Sequence, residues 1–268
     1  MILQPYGTTI AMAILVGAYV ASVEARNRGR DSQIIWDALP WVLIFGIVGA
    51  RAYHVGHLWN FYRQNLEQIL FLWRGGLGIY GGILGGLIGL FVWARGPVIK
   101  AAEAASSGVK AWDLLDIAAP GMAIGQVIGR FANYFNQELY GWPTDLPWGI
   151  YINPENRFPG LENFEYFHPL FLYEALWCLL GFLVLLGTYN GGDHKGRSYL
   201  TGERFLGYLS FYAVGRFFLE SMRIESWMVG GARVAQVVSV MIVFGSATMA
   251  VLRRAKGKNS KSETRSSK

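Results

Sequence analysis

The run Ile117–Gly141, IAAPGMAIGQVIGRFANYFNQELYG, sets an apolar stretch against a polar end. Up to Gly129 nearly every side chain is apolar or small; after it come Arg130, Asn133, Asn136, Gln137 and Glu138. Helical spacing places Arg130, Asn133 and Gln137 on one face and turns Phe131 and Phe135 elsewhere. A greasy helix therefore reaches water with one cationic, hydrogen-bonding side. An isolated arginine there would be read as snorkelling, with the asparagines capping the last turn and Gly141 ending it. Here the arginine comes with amides and a carboxylate, which makes the same stretch a candidate site.

The rest of the chain fits a membrane setting. Of its 268 residues 53% are hydrophobic and only 16% charged, with a mean hydropathy of +0.28, where ordinary soluble domains carry roughly 25% charge. Apolar runs of near 20 residues follow one another, as in a polytopic protein rather than a soluble domain with an anchor. The single cysteine, Cys178, lies inside such a run; it reads as a small buried hydrophobe, without a disulfide partner and not as a nucleophile. No Cys/His cluster has metal-ligand spacing, so neither a metal nor another cofactor is expected, and no nucleic-acid partner is.

Basic residues orient the runs. The first, about Thr8 to Val23, has no lysine or arginine before it and Arg26, Arg28 and Arg30 after it. A secretory signal has the opposite order; the positive-inside rule turns this N-terminus outward and leaves Tyr6 and Gly7 at the outer surface. The second run, about Trp36 to Tyr53, carries Asp37 and Arg51 near its ends, explained as well by snorkelling as by function. Aromatic residues between His54 and Gly76 suit an outer interfacial belt. The third run, about Leu77 to Trp93, has Gly78, Gly82 and Gly86 in one row and Gly81, Gly85 and Gly89 in the next, a surface for close helix packing. Tyr80 stands near its outer end. The fourth rises past Asp116 and Pro120 to the polar signature.

Residues 140–168 are too long for a turn and rich in proline, asparagine and aromatics, hence a small external head. His168 and Pro169 open the fifth span, with Tyr173 and Glu174 one turn in. The sixth, about Phe205 to Leu219, ends in Arg216, Glu220 and Arg223, spaced for one face with Arg216 and Glu220 able to pair at i, i+4. The seventh runs from about Val234 to Leu252. Sixteen of the 24 lysines and arginines fall on the segments assigned inside, among them Arg95, Lys100, Lys110, Lys195, Arg197 and Arg204. The expectation is an all-α polytopic integral membrane protein of about seven transmembrane helices, N-terminus out and C-terminus in. Residues 1–252 form its transmembrane catalytic domain, with the head between the fourth and fifth spans, and 253–268 a disordered basic cytoplasmic tail.

So oriented, Tyr6, Tyr80, Arg130, Asn133, Glu138, Arg216 and Glu220 all fall in the outer half. Two arginines there, with asparagine and glutamate beside them, suit one phosphodiester headgroup, because a guanidinium grips phosphate through parallel hydrogen bonds. The plainer alternative is that Arg216 and Glu220 merely neutralise each other, which leaves Arg130 without an assigned partner.

The stretch Gly129–Gly141 also resembles the signature Gly-Arg-x-x-Asn-(Phe/Tyr)-x-Asn-x-Glu-x-x-Gly of the prolipoprotein diacylglyceryl transferases, with Tyr134 as the aromatic. The likeness extends over nearly the whole chain: Tyr6-Gly7, Gly49-Ala50-Arg51, the glycine-rich run from Gly75 to Gly82, His168-Pro169 with Leu172-Tyr173-Glu174, and Gly215-Arg216-Phe217 with Glu220 and Arg223. It implies transfer of a diacylglyceryl group from phosphatidylglycerol to the lipobox cysteine of a prolipoprotein, with release of glycerol phosphate, in the bacterial inner membrane. Carried onto this chain, it makes Tyr6, Tyr80, Arg130, Glu138 and Arg216 the catalytic candidates. Arg130 again, with Asn133, Asn136, Gly141, Glu220 and Arg223, are then the substrate-binding ones. Many members have histidine where this chain has Tyr80. A tyrosine of pKa near 10 is a poor base for a thiol near 8.5, so either an arginine-tuned Tyr80 acts or the base lies elsewhere, Tyr6 and Glu138 being the other candidates. A transporter for a lipid or small anionic solute is the second reading and a non-catalytic scaffold the third. Transporters often show internal repeats and polar breaks at mid-membrane, whereas here no repeat is visible and the polar groups gather at one face.

Overall fold

A computed structural model describes residues 5–72, 75–96, 111–188 and 200–266, the side chains of 111 and 256–266 excepted. Lys100, Lys110, Lys195 and Arg197, on which part of the orientation rests, lie outside the described residues. The described chain is mostly helical: α1 (Pro5–Asn27), α2 (Gln33–His57), the short α3 (Trp59–Tyr62), α4 (Ile79–Ala94), α5 (Ala111–Phe135), α6 (Leu170–Gly187), α7 (Glu203–Glu220) and α8 (Val234–Ser266). Four two-residue strands pair as hairpins, β1 (Ile150–Tyr151) with β2 (Tyr166–Phe167) and β3 (Met228–Val229) with β4 (Ala232–Arg233). The seven expected spans correspond to the seven longer helices. Four of these are long and apolar enough to cross a bilayer by length and composition: Pro5–Asn27, Gln33–His57, Leu170–Gly187 and Val234–Ala255. Of the others, α4 has 16 residues, or about 24 Å against roughly 30 Å of hydrocarbon, while α5 and α7 carry the charged residues described below. From residue 253 the basic stretch, read from the sequence as a disordered tail, carries on α8 as far as Ser266.

The chain divides into two compact units, Met1–Glu24 with Leu115–Lys268, and Ala25–Leu114. In the second unit α2 and α4 pack backbone to backbone. Gly81, Gly85 and Gly89 are the buried row: a Cβ at Gly85 would stand 2.9 Å from the Phe45 carbonyl carbon and 3.1 Å from the Gly49 Cα, and one at Gly89 2.9 Å from the Phe45 Cβ. The neighbouring row is looser, since a Cβ at Gly86 would meet the Val42 Cγ1 at 3.5 Å. Ala38, Trp93 and Leu114 form a core in this unit. Arg51 is buried and does not snorkel. Its Nε donates to Ile69 O (2.9 Å), Nη2 to Gln68 O (2.5 Å), and Nη1 to Gly75 O (2.8 Å) and Gly76 O (3.0 Å). Its guanidinium lies 5.2 Å from the Tyr62 ring centroid. One side chain thereby ties two carbonyls of a 3₁₀ turn (Leu66–Leu70) to two that lie just before α4.

In the first unit α1 and α5 approach at Gly17 and Gly121, where a Cβ on Gly17 would sit 2.8 Å from the Gly121 oxygen. Asp116, on α5, caps α7 from outside that helix: its carboxylate accepts from Gly202 N (2.6 Å) and Phe205 N (2.8 Å), satisfying orphan amides where the helix dipole favours an anion. Arg204, counted from the sequence among loop cations, is instead buried in the first turn of α7, paired with Glu24 and donating to Leu185 O at 2.7 Å. The reason is the partner carboxylate: in an apolar interior the pair is retained together or lost together.

Residues between α5 and α6 have a small core of their own, Tyr140, Ile152 and Phe167, around the β1–β2 hairpin. The Tyr140 hydroxyl donates to Asn156 O (2.6 Å) and accepts from Phe158 N (3.0 Å), and burial raises its pKa above the ordinary tyrosine value. The expected face of Arg130, Asn133 and Gln137 is broken by the helix end. α5 stops at Phe135, Gln137 takes a positive φ of 51°, and its Oε1 accepts from Asn153 N (2.9 Å) and Asn156 Nδ2 (3.0 Å). Gln137 thus anchors the segment and does not extend the helical face.

The two glycine rows make opposite predictions. Gly85→Ala, which drives a methyl into backbone, should destabilise the protein by about 1–3 kcal/mol. Gly86→Ala should be neutral or stabilising by up to roughly 1 kcal/mol through helix propensity. Thermal unfolding of both variants in detergent checks this; equal effects would mean the rows are interchangeable.

Candidate functional site

In the first unit, three helices deliver charge to one place. Arg130 comes from the last turns of α5, Glu174 from the second turn of α6, and Arg216 and Glu220 from the end of α7, with Arg223 just beyond it. Glu174 is shared: its Oε2 lies 2.5 Å from Arg130 Nη1, and its Oε1 accepts from Arg216 Nη1 at 3.0 Å. Arg216 Nη2 reaches Glu220 Oε2 at 2.6 Å, the i, i+4 pair expected from spacing, and Arg223 Nη1 lies 3.6 Å from the same oxygen. Arg130 Nη2 donates to the Tyr212 hydroxyl (3.2 Å), and Arg233 Nη1 to Glu220 O. Arg130, to which the sequence assigns no protein partner, is therefore paired; the carboxylate that holds it sits on a helix whose remaining residues are uncharged.

Three guanidinium groups share two carboxylates, so this chain of ion pairs carries one excess positive charge. Glu174 and Glu220 are both buried, and the Oε2 of each lies within ion-pair distance but off hydrogen-bond geometry. Outside the helices, burial and the neighbouring Arg216 pull the Arg223 guanidinium below its ordinary pKa, with Glu220 opposing them. Such a cluster is short of negative charge, and an anion with several acceptor oxygens supplies it. Gly215, beside Arg216, makes room for an indole: a Cβ there would stand 2.6 Å from Trp177 Cε2, whose ring stacks on Phe211 with centroids 4.5 Å apart.

The remaining signature residues are arranged by the chain's exit from α5. Glu138 N donates to Asn133 O (3.0 Å) and Asn136 N to Ala132 O (3.1 Å); the side chains of Asn136 and Glu138 are exposed and that of Asn133 is half-buried. Gly141 is buried, its N–H donating to His168 O at 2.9 Å, and it bridges backbone to backbone with Arg223. A Cβ there would stand 3.0 Å from the His168 Cβ and 3.1 Å from Met222 O. Glycine at 141 thus lets the signature segment lie against the residue that carries the third guanidinium. Tyr6 is the second residue of α1 in the same unit, within electrostatic reach of Glu138.

Tyr80 belongs to the other unit, at the second position of α4 and half exposed. Its ring centroid is 5.9 Å from that of Tyr53, which in turn stacks on His57 at 6.2 Å. Glu174 and Tyr212 were not among the sequence candidates. A lone carboxylate in an apolar run, and a tyrosine one turn before Arg216 on α7, were the available signals. Nearby, the Tyr173 hydroxyl lies 3.1 Å from His168 Nδ1 and accepts from Trp148 Nε1 at 2.8 Å, joining the start of α6 to the preceding segment.

A family model described as prolipoprotein diacylglyceryl transferase matches residues 1–252. A relative from Thermosynechococcus vestitus is 38% identical over 245 residues, 91% of this chain and 86% of its own length. One from Synechococcus elongatus is 40% identical over 241 residues, 90% of this chain and 80% of its own length, and one from Synechocystis is 36% identical over 241 residues, 90% and 82% of the two chains. All three are named phosphatidylglycerol–prolipoprotein diacylglyceryl transferase. With the match running from the first residue through the apolar part of α8, the chain belongs to the prolipoprotein diacylglyceryl transferase family.

Proposed function

We propose that this chain transfers the diacylglyceryl group of phosphatidylglycerol to the lipobox cysteine of a prolipoprotein, in the bacterial inner membrane. The observation that carries the reading beyond family membership is the arginine-rich chain of ion pairs, with three guanidinium groups on two carboxylates. In the step, the substrate thiolate attacks the glyceryl carbon that bears the phosphate ester. The C–S bond forms, the C–O bond breaks, and glycerol phosphate leaves with the electron pair and an added negative charge. Arg130 and Arg216 act on that departing phosphate, where fixed cations count most as charge develops. Asn133, Asn136, Gly141, Glu220 and Arg223 form or hold the binding site around it. Displacement at carbon gains much of its rate from donor and acceptor being held in line. The thiol proton goes to a base, for which Tyr80, Tyr6 and Glu138 are the candidates. Cys178 is buried, so the acceptor thiol comes from the substrate. A lipid or anionic-solute transporter is the less favoured reading.

The same proposal includes seven spans, the N-terminus and residues 140–168 outside as a head, and the C-terminus inside. Support comes from the seven helices, the small core of that segment and the bias of the basic residues. A cysteine probe at position 155 should be labelled from outside intact cells and one at position 260 should not; the reverse pattern overturns this topology.

Purified protein supplied with phosphatidylglycerol and a lipobox peptide should yield a thioether-linked peptide and glycerol phosphate. Absence of both products, with the protein folded, overturns the function. Arg130→Lys keeps the charge and loses the planar fork, so turnover should fall at least about tenfold while the protein still inserts. Near-normal turnover would return Arg130 to a structural role beside Glu174.

Tyr80→Phe removes only the hydroxyl. As the base, Tyr80 contributes roughly a hundredfold or more, so the variant should lose turnover while still binding phosphatidylglycerol, and Tyr80→His should restore part of it with the pH profile moved downward. A Tyr80→Phe variant retaining more than about a tenth of the rate excludes an obligatory base. It would leave Tyr80 orienting the lipid while the field of arginines acidifies the thiol.

A further inference from the structure

The loop after α7 folds back through the β3–β4 hairpin, turning at Gly230 and Gly231 with φ of 57° and 80°. Between this hairpin, α7 and α8 lies a groove of about 410 Å³, with Phe217 on one wall and Met228 on the hairpin. Its long wall is made by Arg233, Gln236, Val237, Val240 and Met241. Those five fall at i, i+3, i+4, i+7 and i+8, a single stripe of α8 and the residue leading into it. Polarity changes along the stripe, from guanidinium through amide to purely apolar side chains, over about 12 Å; one leaflet offers roughly 15 Å of hydrocarbon. The groove therefore has the polarity profile of an amphiphile with an anionic head.

The two polar groups have different parts. Gln236 Nε2 is committed to Phe217 O (3.1 Å) and Ser221 Oγ (3.0 Å), so it closes the wall. Arg233 gives Nη1 to Glu220 O, and among the described residues its Nε and Nη2 have no protein partner. Through Glu220 the groove adjoins the Arg216–Glu220 pair. Its apolar end is open: Val237 and Met241 are 46% and 58% exposed on a helix apolar enough to cross the bilayer, so what faces them there is lipid.

We propose that this groove is a docking site for an anionic phospholipid of the bilayer, its phosphate on Arg233 and one acyl chain along Val237, Val240 and Met241. As a place where the donor is held beside the arginine cluster, it rests on the function proposed above; as a lipid site it does not.

The test uses the full chain in phosphatidylcholine nanodiscs containing trace phosphatidylglycerol with a photoactivatable acyl chain, against the same label on phosphatidylcholine. Phosphatidylglycerol should label residues 228–241 about fivefold more than phosphatidylcholine does, the effect of one charge-assisted contact. Arg233→Gln should equalise the two, and Val240→Trp, which fills the groove, should cut phosphatidylglycerol labelling there severalfold with labelling around Met249 unchanged. Equal labelling by both lipids in the unaltered protein overturns the proposal, as does labelling indifferent to both substitutions. A photoactivatable fatty acid labelling as strongly as phosphatidylglycerol, or crosslinks between two copies of the chain through the groove, would give the site another occupant and overturn it as well. Labelling needs no turnover, so it is decided separately from the transfer reaction. Where transfer is observed, Val240→Trp should raise KM for long-chain phosphatidylglycerol severalfold with kcat retained; an unchanged KM removes the holding role.

Discussion

The carboxylate of Glu174, shared between Arg130 on α5 and Arg216 on α7, is the contact on which the arrangement of the site depends. A guanidinium leaving water must find counter-charge at once, because the solvation it gives up is larger than any single weak contact returns. Two guanidinium groups on one carboxylate meet that demand only in part. The shortfall is passed along through Arg216 to Glu220 and then to Arg223, so that no member is neutralised by itself. The geometry keeps three positive groups together at modest cost while leaving the cluster one anion short. In the proposed reaction the phosphodiester meets arginines already held by their carboxylates, so little ordering entropy is left to lose on binding.

Much of this was legible in the sequence because charge inside an apolar run is rare and therefore informative. Arg130, Arg216 and Glu220 stood out for that reason, and the pairing of the last two follows from helical spacing alone. Glu174 was visible as a residue but not as a partner, since nothing local in the chain says that α6 will present it to α5 and α7. Gln137 was misread because the helical face was extended past Phe135. The left-handed turn at 137 depends on the amides of Asn153 and Asn156, supplied by a segment whose fold has no simple periodicity. The glycine rows were read correctly as packing, but which row faces α2 is decided by the rotation of α4, something spacing does not fix.

Arg51 and Arg204 teach a complementary lesson. Each is an arginine near the end of an apolar run; the sequence leaves Arg51 between snorkelling and function and counts Arg204 among the inner-loop cations. Arg51 satisfies four backbone carbonyls, while Arg204 pairs with Glu24 and accompanies the Asp116 cap at the start of α7. In both, the partners are distant in sequence, and a buried cation is held by acceptors that several different elements supply.

The grip of Arg51 on the carbonyls of residues 68, 69, 75 and 76 also imposes an order on assembly. Gln68 O also accepts from Phe71 N at 3.2 Å; for Ile69 O, Gly75 O and Gly76 O the guanidinium is the donor, and a buried carbonyl without one is costly. Arg51 precedes all four residues in the chain, so its side chain is already present when they are made. Were the arginine to follow the loop in the chain, the loop would have to wait in water for it. The direction of synthesis and the direction of dependence agree, and the α2–α4 hairpin can close as it emerges.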